Sequence, residues 1–148
     1  MPTPISYQTN NMPLYNNLAP GLNAKGQISN IAYVKRYVTK TAAYTVLHTE
    51  SGTFFNTVGA TASVTFTLPA ISDGPWHFEF FVGADIGMVV ASAAVDTMIT
   101  FNDLAADSIA FSTASEMIGG RVFADCDGTN LMVTAVGVSH RQTATVAT

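Results

Sequence analysis

One stretch of this 148-residue chain, residues 51–70, constrains the fold more than any other. Between positions 63 and 68, polar and apolar side chains alternate with a period of two. That period is typical of a β-strand with one buried face and one hydrated face. Gly59 allows a tight turn before the strand, and Pro69 ends its hydrogen-bond ladder. The apolar positions are Val64, Phe66 and Leu68, and the polar positions are Ser63, Thr65 and Thr67.

Further strand patterns follow along the chain. In residues 76–80, aromatic side chains alternate with a histidine and a glutamate, and Asp127 and Gly128 separate two strand-like runs at 122–124 and 131–138. An Asp-Gly pair between such runs predicts a hairpin with a tight turn. Roughly eight short strands at this spacing, without a long amphipathic helix, predict an all-β fold. The expected architecture is a single β-sandwich or a small barrel, of the jelly-roll or β-tulip kind.

The chain is predicted to have three parts. Residues 1–42 form an extended N-terminal arm, residues 43–138 a β-domain, and residues 139–148 a C-terminal tail rich in Thr and Ala. The first 30 residues hold four of the six prolines and many asparagines, which oppose regular structure. They also hold aromatic and aliphatic side chains that a disordered tail usually lacks. We expect the arm to lie on a neighbouring subunit; the alternative is an irregular cap over its own domain.

Charge is sparse and unevenly distributed. Only 11% of the residues are charged, against a usual share of about 25%. Four of the six basic residues fall between Lys25 and Lys40, whereas all ten acidic residues lie at Glu50 or later. This division indicates an arm and a body with different partners, and the low charge favours assembly into a larger particle. The alternative is a monomer with an uncharged Ser, Thr and Asn surface.

Several classes of function find little support in the composition. The chain is acidic overall and has few basic residues, which argues against nucleic-acid binding. No segment is long and apolar enough for a membrane span, and the N-terminus does not resemble a signal peptide. The single cysteine, Cys126, cannot form an intrachain disulfide and fits a reducing compartment. We therefore expect synthesis and assembly in a host cytoplasm, with no nucleic-acid or membrane partner.

Catalytic and metal-binding patterns are weak. The histidines at 48, 77 and 140 stand apart and have no metal-ligand spacing, and no cofactor motif is found. Asp125 and Asp127 resemble the start of a calcium loop, but position 136 is Val where the closing Glu is needed. A hairpin turn is the preferred interpretation there. We expect no enzyme activity, although sequence order cannot exclude a Ser-His-Asp triad or a facing acid pair.

Four segments together resemble a β-module that recurs in structural proteins of tailed bacteriophages. They are residues 44–47 (YTVL), 50–56 (ESGTFFN), 59–62 (GATA) and 64–70 (VTFTLPA), followed by Gly74 and the aromatic strand at 76–80. The resemblance covers residues 43–137 and departs from the pattern at Glu50, where Asp is expected. Small proteins with an arm and one such module resemble head decoration (cement) proteins. The resemblance implies a location on the exterior of the virion capsid and a homotrimer.

The sequence thus favours a decoration protein that binds the major capsid protein in the assembled head and bridges neighbouring subunits. The alternative is a tail-fibre or tail-associated adsorption module that binds host carbohydrate and carries exposed aromatics at loop tips. A β-domain enzyme of the tail apparatus is a third possibility. The residues expected to contact the capsid are Tyr7, Leu14, Tyr15, Lys25, Tyr33, Lys35 and Arg36.

Overall fold

The computed structural model describes residues 35–112 and 116–148, and in these residues the all-β prediction is confirmed. Within these residues, twelve strands form a seven-stranded and a five-stranded sheet, packed together as a β-sandwich. Residues Lys35–Thr148 form one compact unit, called the body below. The only helical turns in the described residues are two short 3₁₀ turns, His48–Glu50 and Ile71–Asp73. The strands are β1 (Arg36–Thr39), β2 (Tyr44–Thr45), β3 (Thr53–Asn56), β4 (Val64–Thr67), β5 (Trp76–Phe81), β6 (Met88–Ala91), β7 (Met98–Thr100), β8 (Asp103–Ala106), β9 (Ser108–Phe111), β10 (Arg121–Cys126), β11 (Leu131–Val136) and β12 (Thr145–Ala147).

The first six strands alternate between the two sheets. The seven-stranded sheet has the order β1-β3-β5-β10-β11-β7-β8, and the five-stranded sheet has the order β12-β9-β6-β4-β2. Each sheet therefore receives every second strand of this part of the chain. Successive strands of one sheet run in the same direction, so β1 pairs in parallel with β3, and β4 with β6. Strands β5, β10 and β11 are antiparallel neighbours instead. The predicted hairpin between β10 and β11 is confirmed.

The core lies between the sheets and is centred on phenylalanine rings. The rings of Phe55 and Phe80 stack with centroids 5.6 Å apart, and Phe66 of the opposite sheet lies 4.9 Å from Phe80. Val64, Phe66 and Leu68 are buried, which confirms the inward face predicted from the alternation at 63–68. Burial of large aromatic side chains is the main favourable term for a domain of this size.

The body extends beyond the predicted β-domain at both ends. Strand β1 falls inside the range 1–42 that was predicted as an arm, and it pairs with β3 over four residues. Strand β12 falls inside the predicted tail 139–148 and pairs with β9. Both are short edge strands with exposed side chains, so neither shows the alternation by which a sequence reveals a strand. Within residues 35–112 and 116–148, no helix has the length and apolarity required to cross a membrane.

Candidate interaction surface

The side of the seven-stranded sheet that faces away from the five-stranded sheet carries an unusual set of aromatic side chains. Register places Phe54, Glu79 and Phe123 beside one another on β3, β5 and β10, with Tyr37 of β1 at one end of the row. Phe81 and Arg121 form the next row. These six residues define what is called the outer aromatic face below. The three phenylalanines are partly exposed, and Tyr37 is 67% exposed.

Glu79 lies at the centre of this face and is almost fully buried, with 7% of its surface exposed. Its two carboxylate oxygens are bound by Lys35 Nζ and by Arg121 Nη1. The hydrogen bond to Glu79 raises the pKa of Lys35 above its ordinary value. A buried carboxylate needs such partners because its desolvation otherwise costs several kcal/mol. The ion-pair cluster therefore holds β1, β5 and β10 together at the surface.

The aromatic rings cover the same cations. Arg121 Cζ lies 5.6 Å from the Phe54 ring centroid and 5.3 Å from that of Phe81, and Lys35 Nζ lies 5.8 Å from Phe54. The Tyr37 and Phe54 rings are tilted, with centroids 5.1 Å apart. Cation–π contacts of this length are favourable and fix the rings in place. The face is thus preorganised, and its rings need little reordering to contact a partner.

A second buried carboxylate anchors the start of β1. Glu50 accepts hydrogen bonds from the Tyr44 hydroxyl at 2.9 Å and from the Leu47 N–H at 3.2 Å. Arg36 Nη2 lies 3.5 Å from the other oxygen of Glu50. The hydrogen bond to Glu50 raises the pKa of Tyr44. Lys40 adds a further cation on this side, with Nζ 3.2 Å from the Tyr44 ring centroid.

Two of the predicted capsid-contact residues, Lys35 and Arg36, lie in the body and pair with carboxylates of their own chain. They were expected to be solvated or to bind an acidic partner, and the structure gives each an acidic partner within the chain. The remaining predicted contacts lie outside the described residues; they are Tyr7, Leu14, Tyr15, Lys25 and Tyr33.

Sequence reasoning missed the members of the outer aromatic face on β3, β5 and β10. The alternation at 76–80 places Glu79 on the same side of its strand as His77, and only His77 is exposed. Phe54 and Phe81 were available as a signal, because their strand parity is opposite to that of the buried Phe55 and Phe80. An apolar residue at an outward position indicates a covered or partner-binding surface.

A shallow cleft of about 320 Å³ opens beside the β10–β11 turn. Ser51, His77, Asp125 and Asp127 contribute polar groups to it, and the Trp76 ring beneath is 3% exposed. Its volume is at the lower limit of the range of roughly 300–1,000 Å³ typical of ligand pockets.

The turn itself is closed by Asp127, in agreement with the hairpin-turn interpretation. Its Oδ1 accepts hydrogen bonds of 2.7 Å from the N–H groups of Thr129 and Asn130. The hydrogen bonds from Asn130 and then Thr129 lower the pKa of Asp127. Gly128 has φ +90°, which a residue with a side chain rarely adopts. Next to this turn the Cys126 thiol is buried, and burial raises its pKa.

No group of three or more His, Cys, Asp and Glu side chains in the described part of the chain is arranged to hold a metal ion. Comparison of the chain with models of known protein families finds no match, and comparison with curated proteins finds no significant relative. The conclusions about function below therefore depend on the sequence and on the surface geometry.

Proposed function

We propose that the chain is a structural protein of a tailed-phage virion. In this proposal it decorates the assembled capsid, binds the major capsid protein and bridges neighbouring subunits. Two lines of support meet here: the resemblance of residues 43–137 to a phage structural β-module, and the outer aromatic face of the body.

The outer aromatic face is the observation that carries the proposal. A sheet face in a monomeric sandwich is usually polar where it meets water. Here Phe54, Phe81 and Phe123 occupy outward positions, and Val136 and Met132 continue the apolar surface on β11, 44% and 41% exposed. Interfaces between proteins are enriched in aromatic residues, Met and Arg, which is the composition of this face. The face therefore suits a large protein partner.

The physical effect of such binding is stabilisation by mass action. A ligand that binds only the assembled shell lowers the free energy of that state by an amount that grows with its concentration. When one copy contacts two capsid subunits, its second contact forms at a high effective concentration, so its overall affinity for the shell exceeds that of either contact alone. The predicted arm supplies the second contact in this scheme. A homotrimer, as implied by the resemblance, would multiply the contacts further.

The test is binding of the purified chain to heads of the phage that encodes it. Thr134 is exposed on β11, in the same row as Phe123 and Glu79, so Thr134→Arg places a bulky charge on the face. We expect this variant to sediment with heads at least about tenfold more weakly, because an unpaired charge in an apolar contact costs a few kcal/mol.

The matched control is Thr61→Arg, in an exposed loop away from this face, which should bind like the unmodified chain. Equal binding of both variants would contradict a role for the outer aromatic face. In purified virions, a copy number comparable to that of the capsid subunit supports decoration. A copy number that is a small fraction of it contradicts decoration.

One observation favours the alternative, a tail-associated module that binds host carbohydrate. Phe101 is exposed at the tip of the β7–β8 turn, as this alternative predicted for loop aromatics, and the cleft beside Asp125 and Asp127 offers hydrogen-bonding groups. A glycan that shifts the NMR signals of the cleft residues, together with a low copy number, would support this function instead.

A further inference from the structure

The two ends of the seven-stranded sheet carry opposite charge, and among the described residues the outer edge of each end strand is unpaired. Strand β1 forms one end and β8 forms the other. Within residues 35–112 and 116–148, β1 pairs only with β3, and β8 pairs only with β7. An edge strand presents backbone N–H and C=O groups that another strand can use, and on β8 one of them, the Ala105 N–H, already donates to Asp103 Oδ1 at 2.9 Å.

The β1 end is basic. Lys35, Arg36 and Lys40 lie on or beside this strand, and they are three of the five basic residues of the body. Lys35, Arg36 and Arg121 pair with the two buried carboxylates Glu50 and Glu79, and with Lys40 this leaves a surplus of two positive charges. The carboxylates lie beneath the surface, so the cations face the solvent. Tyr37, on the same strand, adds a largely exposed ring.

The β8 end is acidic and apolar. Asp103 and Asp107 lie at this end, and no salt bridge within the described residues involves them. Two large apolar side chains lie on β8 or in the turn before it: Leu104 is 75% exposed and Phe101 57%. A surface with unpaired carboxylates is repelled by anionic lipid headgroups. The combination of carboxylates and exposed apolar side chains instead fits a basic surface that offers an aromatic ring.

The topology makes the two edges compatible as a strand pair. β1, β3 and β5 run parallel, β10 reverses the direction, and β11 and β7 restore it. β8 is antiparallel to β7 and therefore also to β1. If a second copy continues the sheet, its β1 meets β8 of the first copy in the antiparallel arrangement, whose hydrogen bonds are the better aligned.

We propose that β8 of one copy pairs with β1 of a second copy, with the acidic, apolar β8 end seated on the basic β1 end. Each copy uses two different surfaces, so the contact is head-to-tail. Such contacts close into a ring or continue as a filament, depending on the rotation between copies. The pairing is short, about four residues on each side, so charge attraction and the apolar contact supply much of the affinity.

This inference deepens the self-association part of the proposed function but does not depend on a capsid. Its surfaces are the two sheet edges, which share only Tyr37 and Arg121 with the outer aromatic face that is proposed to contact the capsid. A chain that assembles normally yet ignores phage heads contradicts the proposed function alone. A chain that binds heads as a monomer contradicts the edge pairing alone.

The experiment is charge exchange on the full-length chain, followed by analytical ultracentrifugation. Asp103→Lys with Asp107→Lys makes the β8 end basic, and Arg36→Gln with Lys40→Glu makes the β1 end acidic without placing a carboxylate next to Glu50. Each double variant alone should associate at least about tenfold more weakly, since like charges across an interface cost several kcal/mol. An equimolar mixture should recover association, because the altered basic β8 end meets the altered acidic β1 end, and the two unaltered ends meet each other as in the unmodified chain.

The matched control is Asp73→Lys with Asp85→Lys, two exposed acidic residues away from both edges. This variant should associate like the unmodified chain, and circular dichroism should show a folded β-protein for all variants. High salt should weaken association of the unmodified chain by screening the charges. The proposal is overturned if the unmodified chain is a monomer, if the control loses association equally, or if the mixture fails to recover it.

Discussion

At the scale of single residues, Glu79 shows how a charged side chain becomes structural. Its neighbours in sequence place it on the outward side of β5, where a glutamate would ordinarily be hydrated. It is buried because Lys35 and Arg121 reach it from positions 44 and 42 residues away in the chain. The charge is thus compensated by two other strands of the same sheet, and its removal leaves two cations without their shared partner.

We expect Glu79→Gln to lower the free energy of unfolding by about 1–3 kcal/mol, the usual cost of losing a buried, charge-assisted hydrogen bond. This loss in unfolding free energy is smaller than for a fully buried ion pair, because the Lys35 and Arg121 side chains are 43% and 41% exposed and can be hydrated in the variant. Urea denaturation measures this change. Glu116→Gln is the control, since its pair with Arg141 is exposed and should contribute no more than about 0.5 kcal/mol. Equal losses of unfolding free energy in the two variants would contradict a stabilising role for the Glu79 ion pairs.

At the scale of elements, the β7–β8 hairpin stores backbone strain at its tip. The two turn residues are Phe101 with φ +42° and Asn102 with φ +65°, a combination that belongs to a type I′ turn. Asn tolerates a left-handed backbone, whereas a bulky aromatic rarely adopts it. Phe101 is also largely exposed, so burial does not compensate for the strain. A strained, exposed aromatic at the acidic end of the sheet suits a contact with another molecule.

Replacement of Phe101 by Asn should therefore raise the free energy of unfolding by about 1 kcal/mol, by relief of the left-handed conformation. The same change should weaken self-association, because it removes an apolar side chain from the β8 end. Urea denaturation and sedimentation measure the two effects on one sample. Leu104→Asn serves as the control, since Leu104 lies in a strand with an ordinary backbone and should show only the second effect. A less stable Phe101→Asn variant would mean that ring packing outweighs the strain.

At the scale of the whole molecule, the position of the first strand decides where the body begins. The sequence predicted a β-domain from residue 43, whereas the compact unit starts at Lys35. Residues 35–42 contain β1, which pairs with the edge of β3, and they supply the ion pairs of Lys35 and Arg36. The segment before Lys35 and the body can therefore be separated by experiment at a defined position.

Two truncations test this boundary. Deletion of residues 1–34 should leave the free energy of unfolding of the body nearly unchanged, whereas deletion of residues 1–42 should lower it by at least about 3 kcal/mol, because buried carboxylates lose partners. Thermal and urea unfolding measure both. If residues 1–34 supply the capsid contact, the shorter deletion should also abolish head binding while the body stays folded. Equal stability of the two truncated chains would mean that the stable domain begins at residue 43 and not at Lys35.

Much of the fold could be read from local pattern. Alternation at 63–68 and at 76–80, and the Asp127–Gly128 turn, depend on side-chain parity and backbone freedom, which neighbours in sequence decide. These features identified the all-β class, the buried Phe66 and Phe80, and the β10–β11 hairpin. Edge strands were missed because β1, β8 and β12 have little or no buried face to show. Their pairing comes from backbone groups, which every sequence possesses.

The candidate surface was largely beyond prediction for a different reason. Sequence alone determined that this chain forms sparsely charged β-strands with basic residues near one end and acidic residues along the rest. Tertiary structure decided that Lys35 and Arg121 meet over Glu79, that Phe54 and Phe81 lie side by side, and that the basic and acidic strands end the same sheet. Those relations depend on strand order and register, and strand order is set by contacts between residues far apart in the chain.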